Sequence, residues 1–595
     1  MVTPDQKDPH ATLGASIPAN TEHAVSVSLP TWAANVGYEE GEEWVLSKLK
    51  SGYPRFVVHA SIQHLASLLL STYATPSESA LLFPTPTIAR KCRSFILAKS
   101  PSPKPPVVKV LDLVPSVAAV AKAKIERQIL SSVSAVIFPK EEFPTAKQFW
   151  QHSGDGISSR RAEFLEKEFL EGRLVEKESA EVRSKGPTRY SKTTDPWGKK
   201  KGAVKVETPR GEEDCSEYVE QRFGRNLSVE LADKAKLAIR RRIAGCLSEV
   251  GKVEGVVEEG IARGMEGLTE EDVYLYPSGM SSIFNAHQLL LAALGEVGKC
   301  VCFGFPYLDT LKILQKFTPD GCHFYGHGSE EDLDDLEAKL QAGEKILGLF
   351  CEFPSNPLLK SPDLKRIYQM ATKYGFAVVV DETVGNFLNV SVLPHADIVV
   401  SSLTKVFSGD SNVMGGGFVF NPKSPLYSKL KEVQERVYED TYFPPDAIFL
   451  ERNSRDFAAR IQRINASTET LCDFLSLHVG PSGKIKALHY PKFDDSLPHY
   501  LAHRTPNGGF GGLFSITFHS VPDAVQFFDR LEAAKGPSLG TNFTLVCPYT
   551  VIAHWGEMEW AARWGVGEAL VRVSVGLEGG EELCGRFARA LGVDI

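Results

Sequence analysis

No apolar run in this 595-residue chain approaches the roughly 18 residues that cross a bilayer, and the opening MVTPDQKDPHATLGAS lacks the basic-then-apolar order of an export signal. No membrane partner is therefore expected, and a cytoplasmic location is. Cysteine is sparse and scattered: ten residues, of which only Cys300 and Cys302 lie close together, with no repeated CxxC and no histidine cluster at ligand spacing. That pattern argues against a disulfide framework and gives no reason to expect a metal. An excess of positive charge is missing as well. A net charge of -8 offers no broad attraction to nucleic acid.

What is present is a globular composition, 43% apolar and 24% charged, in a chain too long for one core. Length alone predicts roughly two to four domains. Residues 1–158 are mixed and moderately apolar, broken by the proline-rich SPSPKPPVVKV at 100–110, and read as an N-terminal extension domain. Residues 159–215 are charged and poor in apolar positions; they read as a linker whose first half could form a solvated helix. From 216 the texture changes to short apolar runs, each followed by a turn and a helical period, as in EDVYLYPSGMSSIFNAHQLLLAAL and KCVCFGFPYLDTLKILQKF. Such alternation predicts an α/β fold with a mostly parallel sheet covered on both faces. We place a large domain at 216–425 and a smaller C-terminal domain at 426–595.

Ligands in parallel sheets bind beyond the carboxyl ends of the strands. Read in order, those ends carry Ser278-Gly279-Met280, Tyr307, Asn356, Asp381, Ser402, Thr404 and Lys405. Together they offer a helix start for a phosphate, an aromatic plate, a carboxylate and an amine, the groups that bind pyridoxal 5'-phosphate (PLP). Taken singly, each has an ordinary reading: a strand-to-helix turn for Gly279, a loop hydroxyl for Ser402, a core ring for Tyr307. Asp381 and Lys405 are harder to dismiss. A carboxylate directly after AVVV is costly to bury unless a cation or a helix cap meets it, and a protonated pyridine nitrogen is such a cation. An amine at the mouth of a buried strand is explained if it is held as an imine rather than as an ammonium.

The segment SSLTKVFSGDSNVMGGG resembles the S-x-T-K-x-x-x-G-H-x-D segment of the cystathionine gamma-synthase family of PLP enzymes in Cys/Met metabolism. CEFPSNPLL is similar to its E-x-P-S-N-P, AVVVDET to its V-V-D-N-T, GPSLGTNF to its S-L-G loop and LVRVSVGLEGGEEL to its L-x-R-x-S-x-G-x-E motif. The opening LGASIPANTEHAVSVSLP, with GYPRF after it, resembles the long extension of fungal members. The resemblance implies the aspartate aminotransferase-like fold, fold type I, with a large PLP domain, a small C-terminal α/β domain and the extra N-terminal domain. It assigns Lys405 as the Schiff-base lysine and acid/base, Asp381 to the ring nitrogen, Tyr307 to the ring face and to catalysis, and Asn356 to the ring oxygen. Ser278, Gly279, Met280, Ser402 and Thr404 would hold the phosphate, while Arg572, with Ser538 and Asn356, would hold the substrate. The family's Y-x-R, which reaches the phosphate of a neighbouring subunit, is matched by Phe223-Gly224-Arg225, with Arg222 as a competing alignment. Asp410 stands where the family has histidine, and Pro537 where many synthases have glutamate.

The implied activity is gamma-replacement on an O-acyl-L-homoserine, with cysteine as nucleophile giving L-cystathionine in transsulfuration toward methionine. A beta-keto acid as carbon nucleophile, or a gamma-lyase reaction, is the alternative. The implied assembly is a homodimer or homotetramer. One further expectation concerns the first domain: GYPRFVVHASIQHLASLLL followed by ESALLFPTPTIARKCRSFIL parallels RFGRNLSVELADKAKLAIRR followed by DVYLYPSGMSSIFNAHQLLL, as a decayed copy would.

Overall fold

The computed structural model describes residues 10–49, 52–54, 57–126, 128–177, 229–247, 265–295 and 298–594. Short strands alternating with helices give three sheets. The first comprises β1 (Glu78–Phe83), β2 (Lys109–Pro115), β3 (Val133–Pro139) and β4 (Leu174–Glu176), in the order β1-β3-β2-β4 with every pairing antiparallel. The second comprises β5 (Val273–Tyr276), β6 (Lys299–Phe303), β7 (Cys322–Tyr325), β8 (Ile346–Glu352), β9 (Ala377–Asp381), β10 (Ile398–Ser402) and β11 (Gly416–Phe420). Its order is β5-β11-β10-β9-β8-β6-β7, and β11 runs against its neighbours while the others are parallel. The third comprises β12 (Ala487–His489), β13 (Leu513–Thr517), β14 (Ala534–Lys535), β15 (Leu545–Cys547) and β16 (Leu570–Ser574), in the order β12-β13-β16-β15-β14.

The second sheet positions the site. β8 is buried along its whole length and β9 over Ala377–Val380, because helices cover both faces; the apolar runs are therefore continuous rather than alternating. Parallel strands bring their carboxyl ends to one edge, and the register sets Glu352 beside Asp381 and Val400 on the other side of Asp381. The third sheet contributes Arg572 from the middle of β16, paired with Ser515 on β13 and Cys547 on β15.

Two domain boundaries differ from expectation. Residues 159–176 are not the start of a linker. Ser159–Leu170 is a helix capped by Ser158, packed on the helix Ala60–Tyr73, and β4 extends the first sheet. Its Arg161 is buried and donates to the carbonyls of Pro84, Ser132 and Thr441. Charge density hid a real helical stripe, in which Arg161, Ala162 and Leu165 face inward. The remainder of the expected linker lies outside the described residues. At the other end, the helices Tyr427–Val437 and Pro444–Asn453 pack on the helices Gly279–Leu294 and Val229–Leu247 of the large domain. The large domain thus continues past 425 to about Asn453, and the helix Phe457–Ser476 opens the small domain by packing on Gly580–Leu591. The helix–strand–helix order expected of a decayed copy recurs at 60–99 and 229–294, and β1 and β5 are edge strands that each pair with one antiparallel neighbour, although the sheets they belong to differ in strand order; residues 220–228 and 248–264 of the second segment lie outside the described residues.

Candidate active site

Eleven of the thirteen residues singled out above line one cavity at the carboxyl edge of the second sheet: Ser278, Gly279, Met280, Tyr307, Asn356, Asp381, Ser402, Thr404, Lys405, Ser538 and Arg572. The other two, Phe223 and Arg225, lie with Arg222 outside the described residues.

The cradle is made where the helix Gly279–Leu294 starts. Ser278 caps it, its Oγ accepting from the Ser281 amide at 3.1 Å, and the first-turn amides of Gly279 and Met280 have no intrahelical acceptor. Such a terminus attracts an anion. Glycine at 279 is required by closeness: a Cβ there would lie 2.6 Å from Ser402 Cβ and 2.9 Å from its Oγ. That contact brings the helix start against Ser402 at the end of β10, and Ser278, Gly279, Met280, Ser402 and Thr404 line the same cavity.

Two carboxylates stand side by side at the ends of β8 and β9. Glu352 accepts from the amides of Tyr307 and Asn356, the latter at 2.9 Å, and so ties together the loops carrying both residues. Asp381 accepts from the Thr383 amide at 2.9 Å. Among the described residues no lysine or arginine forms an ion pair with either. Burial, then the neighbouring Asp381 charge, pushes Glu352 up to about 8, and burial raises Asp381 as well. A cation arriving beside Asp381 relieves both. Next to them, Glu382 is fully buried with neither carboxylate oxygen hydrogen-bonded, and burial holds it well above the usual range.

Lys405, 7% exposed, extends into the cavity just beyond β10. Its Nζ donates to Ser538 Oγ at 2.9 Å and to Tyr53 Oη at 3.0 Å. Ser538 has a φ of +101°, which costs a non-glycine residue on the order of 1–3 kcal/mol. It is held there from both ends. Its hydroxyl takes the lysine, and its carbonyl accepts from Arg572 Nη2 at 2.6 Å. Arg572 also donates to Asn356 Oδ1 at 3.1 Å and lies 4.8 Å over the Tyr549 ring, which fixes the guanidinium plane.

Three residues of this site were passed over in the sequence. Glu352 opens the E-x-P-S-N-P segment and follows an apolar strand as Asp381 does, so the same reasoning applies to it. Tyr53, in GYPRF, and Gly154 come from the N-terminal domain, which no periodicity places at a strand end of another sheet. Gly154 accepts from Ser278 Oγ at 3.0 Å, and a Cβ at 154 would lie 2.5 Å from Met280 Cβ. Asp410 is engaged elsewhere, accepting from Asn542 Nδ2 at 2.6 Å.

A helix-terminus cradle, a buried carboxylate and a strand-end lysine on a doubly covered parallel sheet define a PLP enzyme of fold type I. Residues 253–592 match the family described as Cys/Met metabolism PLP-dependent enzyme, and residues 61–158 match the fungal trans-sulfuration enzyme N-terminal domain. The chain belongs to the Cys/Met metabolism PLP-dependent enzyme family, and PLP is its cofactor. More particularly, it is closely related to fungal cystathionine gamma-synthases. It is 49% identical to the cystathionine gamma-synthase of Neurospora crassa, covering 98% of this chain and 99% of that one. It is 40% identical to the cystathionine gamma-synthase of Saccharomyces cerevisiae, covering 98% of each. A cystathionine gamma-synthase-like enzyme of Amanita muscaria, iboG2, is also 40% identical, over 98% of this chain and 96% of its own. The residues fit the cofactor: the Gly279 terminus suits its phosphate, the carboxylate pair without a cationic partner suits its ring nitrogen, and Lys405 suits its aldehyde.

Proposed function

We propose that this enzyme catalyses gamma-replacement on an O-acyl-L-homoserine, joining cysteine to give L-cystathionine. PLP, when bound, withdraws electrons from the bonds at the substrate α-carbon. Every other step falls to the chain. Arg572 presents two N–H groups to the α-carboxylate, and Asn356, already hydrogen-bonded to it, sets the angle of the fork. Asp381, buried and without an ion-pair partner among the described residues, would pair with the ring nitrogen. Tyr307, which precedes the helix Leu308–Phe317 and lines the cavity, would stack on the ring face. Lys405 Nζ carries one proton at a time: it would take the α-proton and give it up before taking a β-proton, the γ-ester would depart as a carboxylate, the thiol would lose its proton as it adds at the γ-carbon, and Lys405 would then return one proton to the β-carbon and one to the α-carbon.

The observation that carries this reading is Ser538, whose hydroxyl accepts from Lys405 and whose carbonyl accepts from Arg572. One residue thereby sets the distance between base and carboxylate grip, which a reaction running from α- to γ-carbon of an amino acid requires. Supplying purified enzyme with O-acetyl- or O-succinyl-homoserine and cysteine, and detecting products by mass, tests it. Cystathionine is expected. Release of a keto acid and ammonia whether or not a thiol is present would replace this reading with a lyase, and condensation only with beta-keto acids would replace cysteine with a carbon nucleophile.

A further inference from the structure

We propose that Tyr53 of the N-terminal domain acts as a catalytic hydroxyl partner of Lys405 in the same chain. The inference rests on the reading of Lys405 as the catalytic base and adds a residue and a domain that the family's lysine-bearing region does not contain.

Three contacts carry it. Tyr53 Oη lies 3.0 Å from Lys405 Nζ, and that nitrogen stands 5.0 Å from the centroid of the Tyr53 ring. A phenol hydroxyl both donates and accepts, so it can partner the amine charged or neutral, while the ring face favours the cation. Tyr53 and Ser538 thus give the nitrogen two resting contacts as it moves along the substrate. Second, the extended N-terminal segment is bound to the loop that bears Ser538: Ser26 Oγ donates to the Pro537 carbonyl at 2.5 Å, and the Leu29 amide to the Lys535 carbonyl at 2.9 Å. Third, Gly154 closes on the cradle through Ser278 Oγ. The N-terminal domain therefore touches the base, the substrate loop and the phosphate cradle at once, and His23, Val25, Pro54 and His59 continue its wall of the same cavity. A domain fitted this way is part of the active site rather than an appended module.

The test uses two full-length variants. Tyr53→Phe keeps the ring and its packing and removes only the hydroxyl; kcat/KM is expected to fall about 100-fold, the lower range for loss of a proton-handling group. In the apoenzyme, acetic anhydride should acylate the Lys405 peptide several-fold faster in Tyr53→Phe than in wild type, because the hydroxyl that accepts from the ammonium is gone. Co-expressing differently tagged Tyr53→Phe and Lys405→Ala chains and purifying through both tags gives a hybrid in which Lys405 is present only beside Phe at 53. The proposal predicts that this hybrid stays at Tyr53→Phe activity and Tyr53→Phe acylation rate. Recovery of wild-type turnover per remaining lysine, with wild-type acylation, would show Tyr53 acting on a second copy and overturn it. If the tagged chains never co-purify while wild type is active, each chain holds a complete site and the proposal stands. Wild-type kcat/KM and acylation in Tyr53→Phe alone, with Lys405→Ala inactive, would remove Tyr53 from catalysis and leave the reading of Lys405 intact; an active Lys405→Ala would instead remove that reading.

Discussion

Replacing Arg572 by lysine keeps the charge at the substrate grip and removes its geometry. The guanidinium is 6% exposed, bonded at Nη1 to Asn356 Oδ1 at 3.1 Å and at Nη2 to the Ser538 carbonyl at 2.6 Å, and lies 4.8 Å over the Tyr549 ring. A lysine ammonium is a point charge without the planar fork, so it can offer the α-carboxylate one strong hydrogen bond where arginine offers two. A hydrogen bond to a charged group contributes about 1.5–3 kcal/mol, and a tenfold change in rate corresponds to about 1.4 kcal/mol, so kcat/KM for the homoserine ester should fall about 10- to 100-fold. Arg572 makes no hydrogen bond to a cradle residue, so PLP affinity, titrated into the apoenzyme by visible absorbance, should stay within a few-fold of wild type. Steady-state kinetics with that absorbance as control is the assay. A variant within threefold of wild-type kcat/KM would refute the assignment of Arg572 to the carboxylate. So would one that loses PLP in proportion to activity.

Other perturbations read other parts of the site. Gly279→Ala places a Cβ 2.6 Å from Ser402 Cβ, so the helix start must move away from the Ser402 loop; PLP affinity of the apoenzyme should fall about tenfold or more, the equivalent of one charge-assisted hydrogen bond, and unchanged affinity would show that the cradle lies elsewhere. The raised Glu352 binds a proton in the folded apoenzyme that the unfolded chain has already lost above pH 4.5, so folding stability falls as pH rises toward about 8. Urea midpoints between about pH 7.5 and 9, above the range in which histidines titrate in either the folded or the unfolded chain, should decline for wild type and decline less for Glu352→Gln; equal slopes would refute the buried-pair account. Added PLP should also flatten the wild-type slope, because a cation beside Asp381 lowers the cost of ionising the pair.

The second sheet was legible because its strands are buried on both faces, and continuous apolar runs such as AVVV and ILGLF have no other easy home. The polar residues that interrupt those runs at the carboxyl edge were legible for the same reason. What escaped was whatever depends on a second element folding over that edge. Tyr53 lies between the helices Glu43–Leu46 and Ala60–Tyr73, with no periodicity of its own in the sequence, and only tertiary contact brings it to Lys405. The Ser159–Leu170 helix was read as solvated, and its packing escaped because its inward stripe contains an arginine, satisfied by three carbonyls from distant segments that no local window includes. The domain boundary at 425 was drawn where the strand series ends, whereas the next two helices still cover the large domain.

The account turns on one nitrogen, and borohydride reduction of the PLP-loaded enzyme followed by peptide mass mapping tests it directly. A single pyridoxyl group on the peptide containing Lys405 is the predicted result; labelling of a different lysine, with Lys405 unmodified, would contradict it.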